Sequence, residues 1–232
     1  MQLGPFDYAL WLVGFLVEIY VVVCSLYRRD FFRYFPLNLY ILSVALVTCG
    51  QYHYIHQYGF SSRTYFYYFY YSDSLLYILM YFVIIHFYQQ MFVEMNVSRY
   101  IRGAAVLLLA ATAFFSYIVV HQNKDHLTTR FVVELEQNLN FVGVVLIYLL
   151  WGAILKLRET RTRLIQLVLA LGISYSATAG SYALRNLFPD VYMLRWVPPV
   201  MGVWLPLAWA YTFTKVSEDA RLATARLAVR TR

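Results

Sequence analysis

The chain has 232 residues, 61% of them hydrophobic and only 13% charged, where an ordinary soluble domain carries about a quarter charged residues. So little polar surface excludes a freely soluble globule, and the net charge of +7 is then informative through its placement around apolar runs, not as a sign of a nucleic-acid partner. Cys24 and Cys49 both fall inside apolar runs, which excludes a disulfide framework and a multi-cysteine metal site.

Seven apolar runs are long enough to cross a hydrocarbon core of about 30 Å. The first, Phe6 to Leu26, lacks a basic leader and a small-residue cleavage site, so it is expected to be a retained span. Its Glu18 falls about 16 Å below the outer end, near the midplane. An ionisable group at such depth is a functional candidate by default.

The second run, Pro36 to Gln57, ends in Gln51, His53 and His56. Aromatic residues then crowd together from Tyr65 to Tyr71. Amphipathic rings favour headgroup depth, so this stretch reads as an interfacial belt, with an aromatic ligand rim as the alternative. The third run, Ser72 to Val93, opens with Asp73 and Tyr77 one turn apart and carries His86, Gln89 and Gln90 further in. A helix starting near Thr64 would set Asp73 deeper. The fourth run is Tyr100 to Val120; the glycosylation sequon at Asn96 before it falls on the cytoplasmic side and is set aside.

In the fifth run, Thr128 to Leu155, Glu134, Gln137, Asn138 and Phe141 share one helical face, and Glu136 and Asn140 mark another. The sixth, Leu164 to Leu184, repeats small residues at Gly172, Ser176 and Gly180, a pattern that lets helices pack closely; it ends near Ser181, Tyr182 and Arg185. The seventh, Leu194 to Thr214, contains Pro198, Pro199 and Pro206, expected to bend or break it beside a cavity. Residues 1–216 thus read as a seven-helix transmembrane domain. In residues 217–232 Arg221, Arg226 and Arg230 alternate with Leu222, Leu227 and Val229, the pattern of a basic amphipathic tail on an anionic inner leaflet. No output domain is expected after Arg232, so a sensor would need a separate partner.

Runs of this length satisfy their backbone in lipid only as helices, being about twice the length of barrel strands. The fold class is therefore all-α, a polytopic bundle. Arg28, Arg29, Arg33, Arg99, Arg102, Lys156, Arg158, Arg161, Arg163, Lys215, Arg221, Arg226, Arg230 and Arg232 fall on one side of the bundle; Arg63, Lys124, Arg130, Arg185 and Arg195 fall on the other. Basic residues mark the cytoplasmic side, so the N-terminus is expected outside and the C-terminus in the cytoplasm of a cell (inner) membrane.

Polar side chains from most of the runs come to similar depth in the outer half. The expected ligand-binding set is Glu18, Gln51, His53, His56, Asp73, Tyr77, Glu134, Asn138, Tyr182 and Arg185, around a cavity open outward. A purely structural reading competes with it, in which Arg130, Arg185 and Arg195 pair with Glu134, Glu136 and Asp73. No metal site is expected. His53 and His86 differ too much in depth to bridge one haem iron. A retinal-bearing lysine is missing from the centre of every run, and so are H-E-x-x-H and a glycine-rich phosphate loop. No cofactor is named by these residues.

Seven helices with an outside N-terminus resemble receptor-type bundles and the small integral-membrane terpene cyclases in topology alone. No motif of either is present, so no residue role is carried over. The first functional expectation is a non-enzymatic protein holding a small apolar or amphipathic ligand, as a sensor or an accessory subunit of a membrane complex. Its partners would be membrane lipids, that small molecule and partner subunits, with no nucleic acid. The alternative is an intramembrane isoprenoid cyclase or isomerase with Glu18 and Glu134 as general acids; a third is a structural assembly subunit.

Overall fold

The computed structural model describes residues 5–27, 31–59, 61–95, 97–121, 127–188 and 191–217. Within them the chain forms seven α-helices and no strand: α1 Pro5–Tyr27, α2 Phe35–Tyr58, α3 Arg63–Met91, α4 Ser98–His121, α5 Leu127–Leu157, α6 Thr162–Leu187 and α7 Val197–Lys215. Short 3-10 turns lie at Val93–Met95 and Tyr192–Arg195. Five helical segments are long and apolar enough to cross a membrane: Phe35–Tyr58, Arg63–Met91, Ser98–His121, Phe131–Leu157 and Thr162–Arg185. The chain is therefore a helical protein of multi-pass membrane type, as its composition requires. The amphipathic tail expected after residue 217 lies outside the described residues.

Two compact units divide the chain. One spans Tyr34–Gly143 and holds α2, α3, α4 and the first part of α5; the other holds α1 and everything from Val144 onward.

In the first unit α2 and α3 form a hairpin. Gly59 ends α2 with φ 80 and ψ 159, and its N–H donates to Ile55 O. That backbone conformation is essentially reserved for glycine, so the turn is fixed by residue type. Ser62 then caps α3, its hydroxyl accepting from the Tyr65 N–H at 3.1 Å. The cap starts α3 at Arg63, nine residues before the expected Ser72, so the tyrosine-rich run is helical and is no mere preface to the span. Tyr65 is buried and Tyr68 faces α2, while Phe66, Phe69 and Tyr71 are exposed. Further along α3, the Tyr81 hydroxyl donates to Ala105 O of α4 at 2.7 Å.

In the second unit α7 packs against both α1 and α6. Gly14 of α1 faces α7, where a Cβ would make ordinary contact with Val203 at 3.5 Å. Trp209, fully buried, donates its indole N–H to Leu167 O of α6 at 3.3 Å. The small-residue stripe of α6 packs only in part: a Cβ at Gly172 would meet Trp151 Nε1 of α5 at 2.8 Å, and Ser176 Oγ hydrogen-bonds the Tyr148 hydroxyl at 3.0 Å, but nothing lies within 4 Å of a Cβ at Gly180. Pro198 and Pro199 do not break α7. They sit in its first turn, where a missing N–H costs nothing, and the helix continues through Pro206 to Lys215.

Candidate functional site

The candidate residues divide between the units. Gln51, His53, His56, Asp73, Tyr77, Glu134 and Asn138 belong to the first, and Glu18, Tyr182 and Arg185 to the second.

The early start of α3 places Asp73 about 15 Å along that helix. Its neighbour Ser74 is buried and donates its hydroxyl to Val132 O of α5 at 3.1 Å, which sets α3 against α5 at this level. Glu136 follows Val132 by one turn on the same face, and its carboxyl lies within electrostatic reach of that of Asp73. Among the described residues neither carboxyl has an ion-pair partner. Tyr77, one turn beyond Asp73, is half-buried, as is Glu134.

Asn138 lies on the other face of α5 and reaches α4. Its Nδ2 donates to Ser116 Oγ at 3.0 Å, and that hydroxyl donates in turn to Thr112 O at 2.9 Å. Ser116 is fully buried. The Asn138 amide is therefore at least partly committed to joining helices. On α2, Gln51 is half-buried, whereas His53 and His56 are exposed and lie beside the rings of Tyr54 and Tyr52. No group of three or more His, Cys, Asp or Glu suited to a metal occurs among the described residues.

In the second unit Glu18 is 6% exposed. It shares the buried face of α1 with Gly14, Val21 and Ser25, at the i, i+4, i+7, i+11 positions of one helical stripe. Its Oε2 has no hydrogen-bond partner among the described residues, and neither has Ser25 Oγ. The inward orientation agrees with the cost of an acidic group facing lipid, but the partner that cost calls for is missing from this oxygen. Arg185 is half-buried near the end of α6. The side chains of Tyr182, Arg130 and Arg195 lie outside the described residues, and so do the ion pairs expected of the two arginines.

The chain matches no family model, no curated protein and no solved structure. Its chemistry has to come from its own side chains.

Spacing alone passed over Glu136, Ser74, Ser116 and Ser25. Glu136 could have been found from its i, i+4 relation to Val132 only with knowledge that α3 is the neighbour. Two polar features also fix the other ends of the helices. Arg163, 2% exposed, donates Nε and Nη2 to Val216 O at 3.1 and 2.7 Å, joining the start of α6 to the end of α7. Glu159 accepts from the N–H groups of Thr160 and Arg161 and from the Arg161 guanidinium, with a closest approach of 2.7 Å. Burial pushes the Glu159 carboxyl up, but its bonds to Arg161 and Thr160 prevail and hold it below its ordinary value.

Proposed function

We propose that this chain is a seven-span protein of the cell (inner) membrane, N-terminus outside and C-terminus in the cytoplasm, that holds a small amphipathic ligand in an outward-opening cavity, acting as a sensor or an accessory subunit. The observation that carries the reading is the Asp73–Glu136 juxtaposition on α3 and α5, without a cation beside it among the described residues. Two carboxyls within electrostatic reach of each other in a membrane unit favour a positive group near them. An apolar molecule bearing an amine supplies that group and finds tyrosine faces nearby in Tyr77 and the aromatic turns of α3. Gln51, His53, His56 and Glu134 from the same unit complete the proposed set.

The test is recovery of the protein from native membranes followed by mass spectrometry under non-denaturing conditions. Wild type is expected to carry a small molecule that the Asp73→Asn, Glu136→Gln double variant loses. An empty wild-type protein, or equal retention by the folded variant, would overturn the reading.

Glu18 supports a second reading, an isoprenoid cyclase or isomerase. A carboxyl in an apolar seam with an oxygen lacking a partner is suited to give a proton to an alkene, with Glu134 as the other candidate acid. Turnover of candidate isoprenoid lipids would then be lost in Glu18→Gln or in Glu134→Gln, and activity retained in both would remove this mechanism.

A further inference from the structure

We infer that the outer face of α4 is a binding site for a single anionic phospholipid, with one acyl chain in a trough along the helix and the headgroup at Arg102. The trough is shallow and open, with a volume of about 820 Å³ over Arg102, Gly103, Val106, Leu107, Ala110 and Phe114 of this one helix. Its floor comes from small residues: nothing lies within 4 Å of a Cβ placed on Gly103. Its walls are apolar side chains turned away from the protein, with Val106 67%, Leu107 72% and Phe114 66% exposed.

Length and charge select the occupant. From Arg102 to Phe114 the helix rises about 18 Å, close to one leaflet of a hydrocarbon core about 30 Å thick. Beyond that point the bulky Phe115 and Tyr117 are exposed and lie outside its lining. A transmembrane helix from another subunit would need a seam along the whole span, whereas an acyl chain needs only its own leaflet. Arg102 stands at the end where a headgroup would lie. It is exposed, its Nε donates only locally to Ser98 O at 3.4 Å, and no acidic partner meets it among the described residues. Arg99, one turn back on the same side, is also exposed. A phosphate-bearing lipid of net negative charge complements this end, and the apolar trough complements its tail. The inference needs only that α4 crosses the membrane and is independent of the ligand proposed above.

The test uses full-length protein reconstituted in phosphatidylcholine vesicles with and without phosphatidylglycerol, then released into mild detergent for non-denaturing mass spectrometry and light scattering. Wild type is expected to retain about one phosphatidylglycerol in preference to phosphatidylcholine. Arg102→Gln, an exposed change that leaves packing alone, is expected to keep a lipid but lower the preference roughly fivefold, the weight of one basic residue at an anionic surface. Ala110→Phe, which fills the trough, is expected to lose the lipid. Wild type without preference, a preference unchanged in Arg102→Gln, or a wild-type dimer that Ala110→Phe splits would overturn the assignment. The last result would give the trough to a second copy of the chain.

Discussion

The Tyr68 hydroxyl of α3 occupies the space above Gly50 of α2 where a side chain would otherwise begin, and donates to Val47 O at 3.3 Å. The same ring stacks on Tyr54 with centroids 4.5 Å apart, and Tyr54 stacks on Tyr58 at 5.8 Å. Gly50 is therefore the contact point of the hairpin. Overpacking of this kind costs about 1 to 3 kcal/mol, so Gly50→Ala is expected to lower thermal stability in detergent. Tyr68→Phe loses one hydrogen bond, about 0.5 to 1.5 kcal/mol. The double variant should be less damaged than the sum, because removing the hydroxyl vacates the closest part of the space. Strict additivity would show that the two residues do not meet.

Residue chemistry alone made the helical class and the number of helices legible. It failed at the start of α3 because tyrosine and phenylalanine suit both a headgroup belt and a helix; only the Ser62 cap behind the Gly59 turn decides between them. On α5, helical periodicity separated the face of Asn138 from that of Glu136, and the structure keeps that separation, one side turned to Ser116 and the other toward Asp73. What periodicity cannot supply is which neighbour each face meets. Hence Glu136 was left out of the candidate set, and Asn138 was included although its amide joins α4 to α5. Pro198 and Pro199 misled for a related reason: they fall in the first turn of α7, where proline is tolerated, whereas Pro206 lies inside the helix.

Glu159 provides a pH-dependent prediction at the loop before α6. Its carboxyl titrates below its ordinary value of 4.5 in the folded chain, so the folded state favours the ionised form. The stabilisation is present above that ordinary value and is lost as pH falls through the lower folded value. Wild type should lose thermal stability on acidification below about pH 4.5 more steeply than Glu159→Gln, and should be the more stable of the two near neutrality. Parallel profiles would mean that the half-buried Arg161 pair, 2.7 Å long, contributes nothing.

Orientation is tested by cysteine labelling in whole cells. Cys49 is exposed and Cys24 half-buried, so both are first replaced by serine. Lys124→Cys is then expected to react with an impermeant reagent from outside, and Lys156→Cys, at an exposed position at the end of α5, only after the membrane is opened. The bias of basic residues predicts this order. The reverse order would invert the bundle and move the Asp73 and Glu136 level to the inner half.

Glu18 separates a structural role from a functional one through the sign of a stability change. With α1 as a span, as proposed above, an acidic residue at its centre costs about 2.5 to 3.5 kcal/mol on insertion scales, and Oε2 has no partner among the described residues to offset it. Side chains that serve packing alone lower stability when removed. One held in an unfavourable setting for its chemistry raises it, because an apolar residue of similar volume avoids the desolvation. Glu18→Leu is therefore expected to increase the melting temperature of the purified protein in detergent, by an amount corresponding to about 1 to 3 kcal/mol, and to abolish ligand retention or turnover. Glu18→Gln keeps the shape and one acceptor and should fold with little change in stability while showing the same functional loss. A Glu18→Leu protein that melts lower than wild type would show that the carboxyl has a compensating partner within the fold. The residue would then belong to the framework joining α1 to α7, and neither the acid nor the ligand-contact role would stand.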